Sequence, residues 1–375
     1  MGSNTYWKDL IMIEYRNILF FNQAIEFGGH EIMSLKIIKN FSKRSLLNII
    51  VCSHKNNVKF IEELNKIPNI KIIIHDINYS KVDFLKGIFH FLFNNYFKKL
   101  LNKENIHTVI SIQGSVKMSA IIHFSCRRLK INSIAYIPSY AETKNIVNKL
   151  INKLILKLPI NFIVISEYWK EVFMNITKKN KRNFHVINNL LTNNFSNHEN
   201  NFSNDKKKIF LIGRLCSYKN QIFLCETLKI YPDLINAYDF FIVGDGQDYE
   251  LLSNHISVKT GKIKILPWDS SNDLYLNADI ILMTSVYEGL PLVAIEAMAL
   301  KKPLILPGIK ELKDLTISEF IYTPGDYFSL NKILKDNVSQ FSEKAIQRNY
   351  EYYKNNFTNE IFEKNCEEFF QYVLK

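Results

Sequence analysis

The 375-residue chain exceeds the size at which one hydrophobic core is usual, so two domains of roughly 150 to 200 residues are expected. With 47% hydrophobic and 22% charged residues the composition is globular, and Lys or Asn breaks every apolar run short of the roughly 18 residues a membrane span needs. The net charge of +12 attracts polyanions, and nucleic acid, an anionic membrane surface and phosphorylated small molecules all fit it, while a lysine- and asparagine-rich composition of the kind an AT-rich genome gives is the plainer alternative for part of the excess.

Arg16 to Asn22 (RNILFFN) reads as a first buried strand, followed by Phe27-Gly28-Gly29-His30-Glu31 and a helical pattern through Ile32, Leu35, Ile38 and Phe41. The paired glycines permit a tight turn and leave N–H groups open to a ligand, or serve only as a turn. LNIIVCS (Leu47 to Ser53) and IKIIIHDI (Ile70 to Ile77) are two further β-branched runs, separated by a helical segment. Strands alternating with helices imply a parallel sheet covered on both faces.

Val82 to Leu101 reads as an aromatic helix closed by Lys98 and Lys99, HTVISIQ (His107 to Gln113) as a strand, and Ser133 to Ile137 as another, ending at Pro138. Lys144 to Leu158 sets Val147, Leu150, Ile151, Leu154, Ile155 and Leu158 on one helical face against Lys149, Lys153 and Lys157 on the other. Such a helix lies on an anionic membrane surface or packs on its own domain. INFIVIS (Ile160 to Ser166) is a strand, and HVINNLL (His185 to Leu191) closes the first domain, residues 1–191. The polar, asparagine-rich stretch Thr192 to Lys208 reads as a linker.

The second domain, residues 209–349, opens with IFLIGRL (Ile209 to Leu215) and runs through Cys216-Ser217-Tyr218-Lys219-Asn220 into a helix. Arg214 and Lys219 beside a glycine-opened turn suit a diphosphate, since a guanidinium forks onto oxygens and an ammonium acts as a point charge. A solvated surface pair is the plainer alternative. FFIVGDGQDYELL (Phe240 to Leu252) repeats the strand and turn with Gly244 and Gly246, and KIKILPWD (Lys262 to Asp269) ends at Pro267-Trp268. In Ile280 to Ile305 an apolar strand meets the turn Glu288-Gly289, Pro291 takes the first helical position, and Glu296 falls on the second helical turn. A helix start of this kind favours an anion, or is an ordinary strand, turn and helix with acidic dressing. PLILPG (Pro303 to Gly308) is the last strand, and Tyr350 to Leu374 reads as one aromatic helix that packs back on the first domain.

Cys52, Cys126, Cys216, Cys225 and Cys366 are odd in number and lack CxxC spacing, which argues against a disulfide framework and against zinc. That cysteine usage fits a reducing cytoplasm, and the N-terminus, with Asp9 and Glu14, does not read as a signal peptide.

The ordered motifs GRLCSYKN, GDGQDYELL and EGLPLVAIEAMALKKPLI, with glutamates at 288 and 296 in a Glu-x7-Glu spacing, resemble those of the GT-B glycosyltransferases of the retaining family commonly numbered four, the glycosyl transferases group 1. FGGHE, VISE and VINN extend the resemblance more loosely into the first domain. It implies an α/β fold of two Rossmann-like domains with parallel sheets facing a central cleft. It further implies a nucleotide-sugar donor, UDP-sugar in preference to GDP-sugar, on the second domain and a glycan or lipid-linked acceptor on the first.

By that resemblance Arg214, Lys219 and Glu288 are the catalytic set, with Arg214 and Lys219 on the diphosphate and Glu288 near the donor sugar. Glu296 takes the ribose hydroxyls, and Gly213, Gly244, Gly246, Pro267, Trp268, Gly289, Leu290, Leu292 and Val293 complete the donor site. Gly28, Gly29 and His30 border the donor phosphates or the acceptor. No metal or other cofactor is expected, because fixed cations and helix N–H groups can act where charge grows on the leaving diphosphate. Many relatives carry a histidine after the strand that here reads AYIPSY. This chain has Pro138, Ser139 and Tyr140 there, which leaves Ser139, Tyr140, Glu142 and His30 as first-domain candidates and His123 as structural. The implied role is sugar addition to a bacterial surface polysaccharide such as O-antigen, lipopolysaccharide or capsule, with peripheral contact to the membrane and no nucleic acid partner. A sugar epimerase on the same scaffold and a basic nucleic-acid-binding module are the competing readings.

Overall fold

The computed structural model describes residues 15–25, 27–76, 96–112, 120–138, 152–158, 160–191, 206–268, 273–315, 320–336 and 343–374. The chain divides into two compact units, Met1–Ile187 with Glu363–Lys375, and Asn188–Phe362. The second unit therefore begins ahead of the expected linker, of which residues 192–205 lie outside the described residues.

The first unit is built on a seven-stranded sheet in the order β3-β2-β1-β4-β5-β6-β7. Its strands are β1 (Arg16–Asn22), β2 (Leu47–His54), β3 (Ile70–His75), β4 (Thr108–Ile112), β5 (Asn132–Tyr136), β6 (Asn161–Val164) and β7 (Phe184–Val186). Every pairing is parallel, and Phe20 on β1 registers with Val51 on β2 and Ile110 on β4. The near-continuous apolar runs follow from this, because a parallel strand is covered on both faces. One face carries Leu19, Phe21, Ile50, Cys52 and Val109 against Phe97, Leu101, Ile122 and Cys126 of two helices. On the other face Phe41, at the end of the helix Gly29–Phe41, meets Phe20 at 6.0 Å and Phe369 at 5.7 Å between ring centroids.

The structure departs from the sequence expectation in the tail and in the basic segment. The tail is two helices, Glu343–Asn356 and Asn359–Leu374, and the break at Phe357-Thr358 contains neither Gly nor Pro. In the basic segment 144–158, only 152–158 is described, and there Leu154 is 62% exposed while Leu156 is buried with Ile155 and Leu158. The buried face is thus rotated from the expected one, and Ile155, Leu156 and Leu158 are in core. The aromatic helix expected from Val82 is described only over Tyr96–Lys103. No helix among the described residues is long and apolar enough to cross a membrane.

The second unit carries a six-stranded sheet in the order β10-β9-β8-β11-β12-β13. Here β8 is Lys207–Ile212, β9 Tyr238–Val243, β10 Ile263–Leu266, β11 Ile280–Leu282, β12 Leu304–Pro307 and β13 Ile321–Tyr322, all paired in parallel. Ile209, Leu211, Leu224, Leu228, Ile242, Ile280, Leu282 and Ile305 form its core. β8 lies between β9 and β11, so the chain reverses its winding direction there. In open parallel sheets ligands bind outside the carboxyl ends of the strands at that reversal. The loops after β8, β9 and β11 are the ones that the topology brings together.

Candidate functional site

The loop after β8 leaves the sheet through Gly213, whose φ of +152° is one that side chains rarely adopt. The same holds for Gly244 and Gly246, at +151° and +155° after β9. A Cβ on Gly244 would stand 2.0 Å from the Gly213 carbonyl oxygen, and one on Gly246 would stand 2.2 Å from that of Leu215. These two glycines are required because the loops after β8 and β9 run in backbone contact. Leu215 N–H donates to Asp245 O at 2.8 Å, and Asp248 N–H to Leu215 O at 3.1 Å. The stem of Lys219 lies 3.9 Å from where a Gly213 Cβ would be.

Arg214 has an exposed side chain, and its carbonyl is held by buried Gln221 Nε2 at 2.8 Å. Lys219 turns instead toward Glu288, Nζ to Oε1 at 2.6 Å, with side chains 17% and 7% exposed. Ser285 Oγ donates to the same oxygen at 2.5 Å. Two further bonds stitch the loop after β11 to the loop after β8. Thr284 Oγ1 donates to Lys219 O at 2.8 Å, and Val286 N–H to Tyr218 O at 2.9 Å. The Tyr218 hydroxyl is pushed up to about 12, by burial first and then by its bond with Cys216.

Pro291 is the N-cap of the next helix, Leu292–Ala299, and not its first residue as expected. Its φ of −71° and ψ of 126° place it just outside the helical region. Its carbonyl accepts from the N–H groups of Ala294 and Ile295, whereas those of Leu292 and Val293 have no partner among the described residues. Two donors at a helix start make an anion-favouring site. The Leu290 carbonyl is held by Asn189 Nδ2 at 2.7 Å, which fixes the entry to the helix.

Glu296 is buried one helical turn further on and accepts at Oε2 from the hydroxyl of Tyr275, itself buried in the helix Asp273–Asn277. Burial and the carboxylate beside it raise the Tyr275 hydroxyl well above its ordinary range. A hydroxyl so held stays protonated and remains a donor to Glu296. Pro267 and Trp268 follow β10, and the Trp268 side chain is half exposed. Arg214, Lys219, Glu288, Leu292 and Val293 thus gather cations, a carboxylate and open N–H groups on the loops at the β8 reversal. Ser285, Thr284, Tyr275 and Asn189 complete the network. The i,i+3 spacing of Ser285 and Glu288 is a readable signal for one of them and the VINN motif reaches Asn189, while Tyr275 carries none.

In the first unit the turn after β1 has one of its N–H groups already taken. Gly28 N–H donates to the buried Glu31 Oε2 at 2.9 Å, so this carboxylate caps the helix Gly29–Phe41 and that N–H is not open to a phosphate. His30 stacks on Tyr136 with centroids 4.8 Å apart, and neither ring nitrogen has a hydrogen-bond partner among the described residues. Burial lowers its pKa to about 4, which keeps the imidazole neutral at physiological pH. His123 bridges Ser111 at 2.9 Å and Ser133 at 2.5 Å, and burial lowers it to about 3. Ser139, Tyr140 and Glu142 lie outside the described residues.

Residues 193–349 match the family model described as Glycosyl transferases group 1. The chain is 28% identical over 181 residues to the lipopolysaccharide 1,6-galactosyltransferase of Salmonella typhimurium, covering 43% of this chain and 50% of that protein. Matches to the curated relatives span half of their length or less. Among solved structures, HepE of Anabaena in complex with UDP and glucose superposes with a TM-score of 0.73 at 15% identity, over 95% of this chain and 100% of that one. The apo form of the lipopolysaccharide outer core galactosyltransferase WaaB does so with a TM-score of 0.67 at 18% identity, over 96% and 99%. At such identities the likeness shows the fold. Residues 193–349 are therefore a glycosyl transferases group 1 domain, carried in a two-unit α/β chain of GT-B fold.

Proposed function

We propose that the chain is a retaining glycosyltransferase of family four, which moves a sugar from a UDP-sugar, in preference to a GDP-sugar, to a glycan or lipid-linked acceptor of a bacterial surface polysaccharide. The observation that carries this reading is the gathering of Arg214, the Lys219–Glu288 pair and the open N–H groups of Leu292 and Val293 at the β8 reversal, inside the matched domain. Breaking an anomeric C–O bond leaves positive charge on the sugar and negative charge on the diphosphate. Arg214, Lys219 and the helix start take the negative charge. Glu288 meets the donor sugar, Glu296 the ribose, and Pro267 and Trp268 the base. With fixed cations in these roles, the reaction as proposed needs no metal.

The choice of UDP and of a surface glycan rests on relatives: HepE holds UDP, and the Salmonella protein is a lipopolysaccharide galactosyltransferase. The acceptor falls to the first unit, and a cytoplasmic location with peripheral membrane contact follows from a lipid-linked acceptor.

The test is a thermal-shift screen of nucleoside diphosphates, followed by transfer assays with nucleotide sugars and a lipid-linked acceptor. UDP should raise the melting temperature and Lys219→Ala should abolish transfer. Transfer that survives in both Lys219→Ala and Glu288→Ala rejects the assignment. Steeply salt-dependent DNA or RNA binding without a UDP shift would favour the nucleic-acid reading, and epimerised sugar formed without an acceptor would favour the epimerase.

A further inference from the structure

Glu288 holds its two donors on one oxygen. Lys219 Nζ and Ser285 Oγ both reach Oε1, at 2.6 and 2.5 Å, and Oε2 has no partner among the described residues. The donors differ in what a diphosphate would do to them. Lys219 is a flexible cation with three N–H groups, and an anion of higher charge competes with Glu288 for it. Ser285 is uncharged, short, 2% exposed and three residues from Glu288. Its neighbours are pinned on both sides, Met283 N–H to Ile305 O at 3.0 Å, Thr284 Oγ1 to Lys219 O at 2.8 Å, and Val286 N–H to Tyr218 O at 2.9 Å. Ser285 therefore cannot follow Lys219 toward a phosphate.

Building on the glycosyl-transfer reading above, we propose that Ser285 is a positioning residue for the donor sugar: it keeps Oε1 of Glu288 in place when Lys219 turns to the diphosphate, so that Oε2 stays presented to a sugar hydroxyl. A buried carboxylate that loses its cation needs its remaining hydrogen bond to hold one orientation. Ser285 itself touches neither phosphate nor base. Its loss is then felt by ligands that carry a sugar and not by the bare nucleoside diphosphate.

The experiment is isothermal titration of the full chain with UDP, UDP-glucose, UDP-galactose and UDP-N-acetylglucosamine, on wild type, Ser285→Ala and Ser285→Thr. Ser285→Ala should bind UDP within about twofold of wild type and lose about tenfold for the UDP-sugar that wild type binds best. Ser285→Thr, which keeps the hydroxyl, should return to within about threefold. Equal losses for UDP and the UDP-sugar, no loss for either, or failure of Thr to restore binding would each overturn the positioning role while leaving glycosyl transfer standing. Wild type that binds none of the four ligands overturns the UDP-sugar donor reading, and the positioning role built on it.

Discussion

Tyr275 donates its hydroxyl proton to Oε2 of Glu296 across 21 positions of sequence, and both side chains are buried. A carboxylate in that setting depends on its donors, because a buried charge without them is costly. Tyr275→Phe removes one donor and leaves the packing of the ring. The expected loss is about 1 to 3 kcal/mol of stability, read as a lower urea midpoint with an unchanged slope. If Glu296 also holds the ribose, UDP affinity falls with it. A variant with wild-type midpoint and wild-type UDP affinity would show that the bond carries neither stability nor function.

Gly246 offers a sharper test of how the loops after β8 and β9 are built. At φ +155° an added Cβ would lie 2.2 Å from the Leu215 carbonyl oxygen, so Gly246→Ala must displace one backbone or the other. A cost of about 3 kcal/mol or more is expected, from strain and from parting Leu215 and Asp245. Gly261→Ala is the control. Its φ is +72° with nothing within 4 Å, and about 1 kcal/mol covers the left-handed backbone alone. Equal costs at the two positions would mean that the close approach does not constrain the loop.

Much of the architecture was readable from residues because parallel strands are covered on both faces and so appear as apolar runs. RNILFFN, LNIIVCS and IFLIGRL mark β1, β2 and the start of the second sheet for that reason. Glycines at 213, 244 and 246 are readable as turns, but the reason for two of them, backbone against backbone, involves the loop after β8, a partner that spacing does not reveal. The Gly28 cap was hidden in another way. Glu31 stands at the right distance, yet a glycine N-cap lacks the hydroxyl that makes a capping box recognisable. No Gly or Pro announces the tail break at Phe357-Thr358, so the periodicity reads through it. The periodic stripe sets Leu154 on the apolar face, and in the structure Leu156 takes that place.

His123, which is buried, and His30, whose ring nitrogens are buried, make the stability pH-dependent. Burial holds His30 at about 4 and His123 at about 3, below the ordinary value of 6.5. Between those values the unfolded chain binds protons that the folded chain does not, so stability rises with pH. Their contribution is complete above pH 6.5 and is lost as pH falls toward 4 and 3. At pH 5 each costs about 2 kcal/mol relative to pH 7. His30→Phe tests this cleanly, since neither ring nitrogen has a partner to lose and the stack on Tyr136 is kept. The variant should match wild type at pH 7 within about 1 kcal/mol and fall less steeply between pH 6.5 and 5. An identical slope in wild type and variant would show that His30 does not titrate in the unfolding reaction.

The Lys219–Glu288 pair is expected to be worth more as a pair than either member alone, and a double-mutant cycle without ligand measures this. Lys219→Met leaves a carboxylate that is 7% exposed with Ser285 as its remaining donor among the described residues, and Glu288→Gln leaves an ammonium that is 17% exposed. Each single change strands a charge that the fold has largely removed from water, at a cost of about 3 to 5 kcal/mol if no solvent enters. Lys219 can swing outward along its flexible stem, so Glu288→Gln should be the milder of the two. The double variant removes both charges and should be less destabilised than the sum of the singles by about 2 kcal/mol or more. UDP changes the arithmetic in a way that also tests the site. If Lys219 moves to the diphosphate, saturating UDP should shrink the coupling between positions 219 and 288, because Lys219 then serves the ligand. Coupling that stays the same with and without UDP, measured from urea midpoints of all four proteins, would mean that Lys219 remains on Glu288 and that Arg214 and the helix start carry the diphosphate without it.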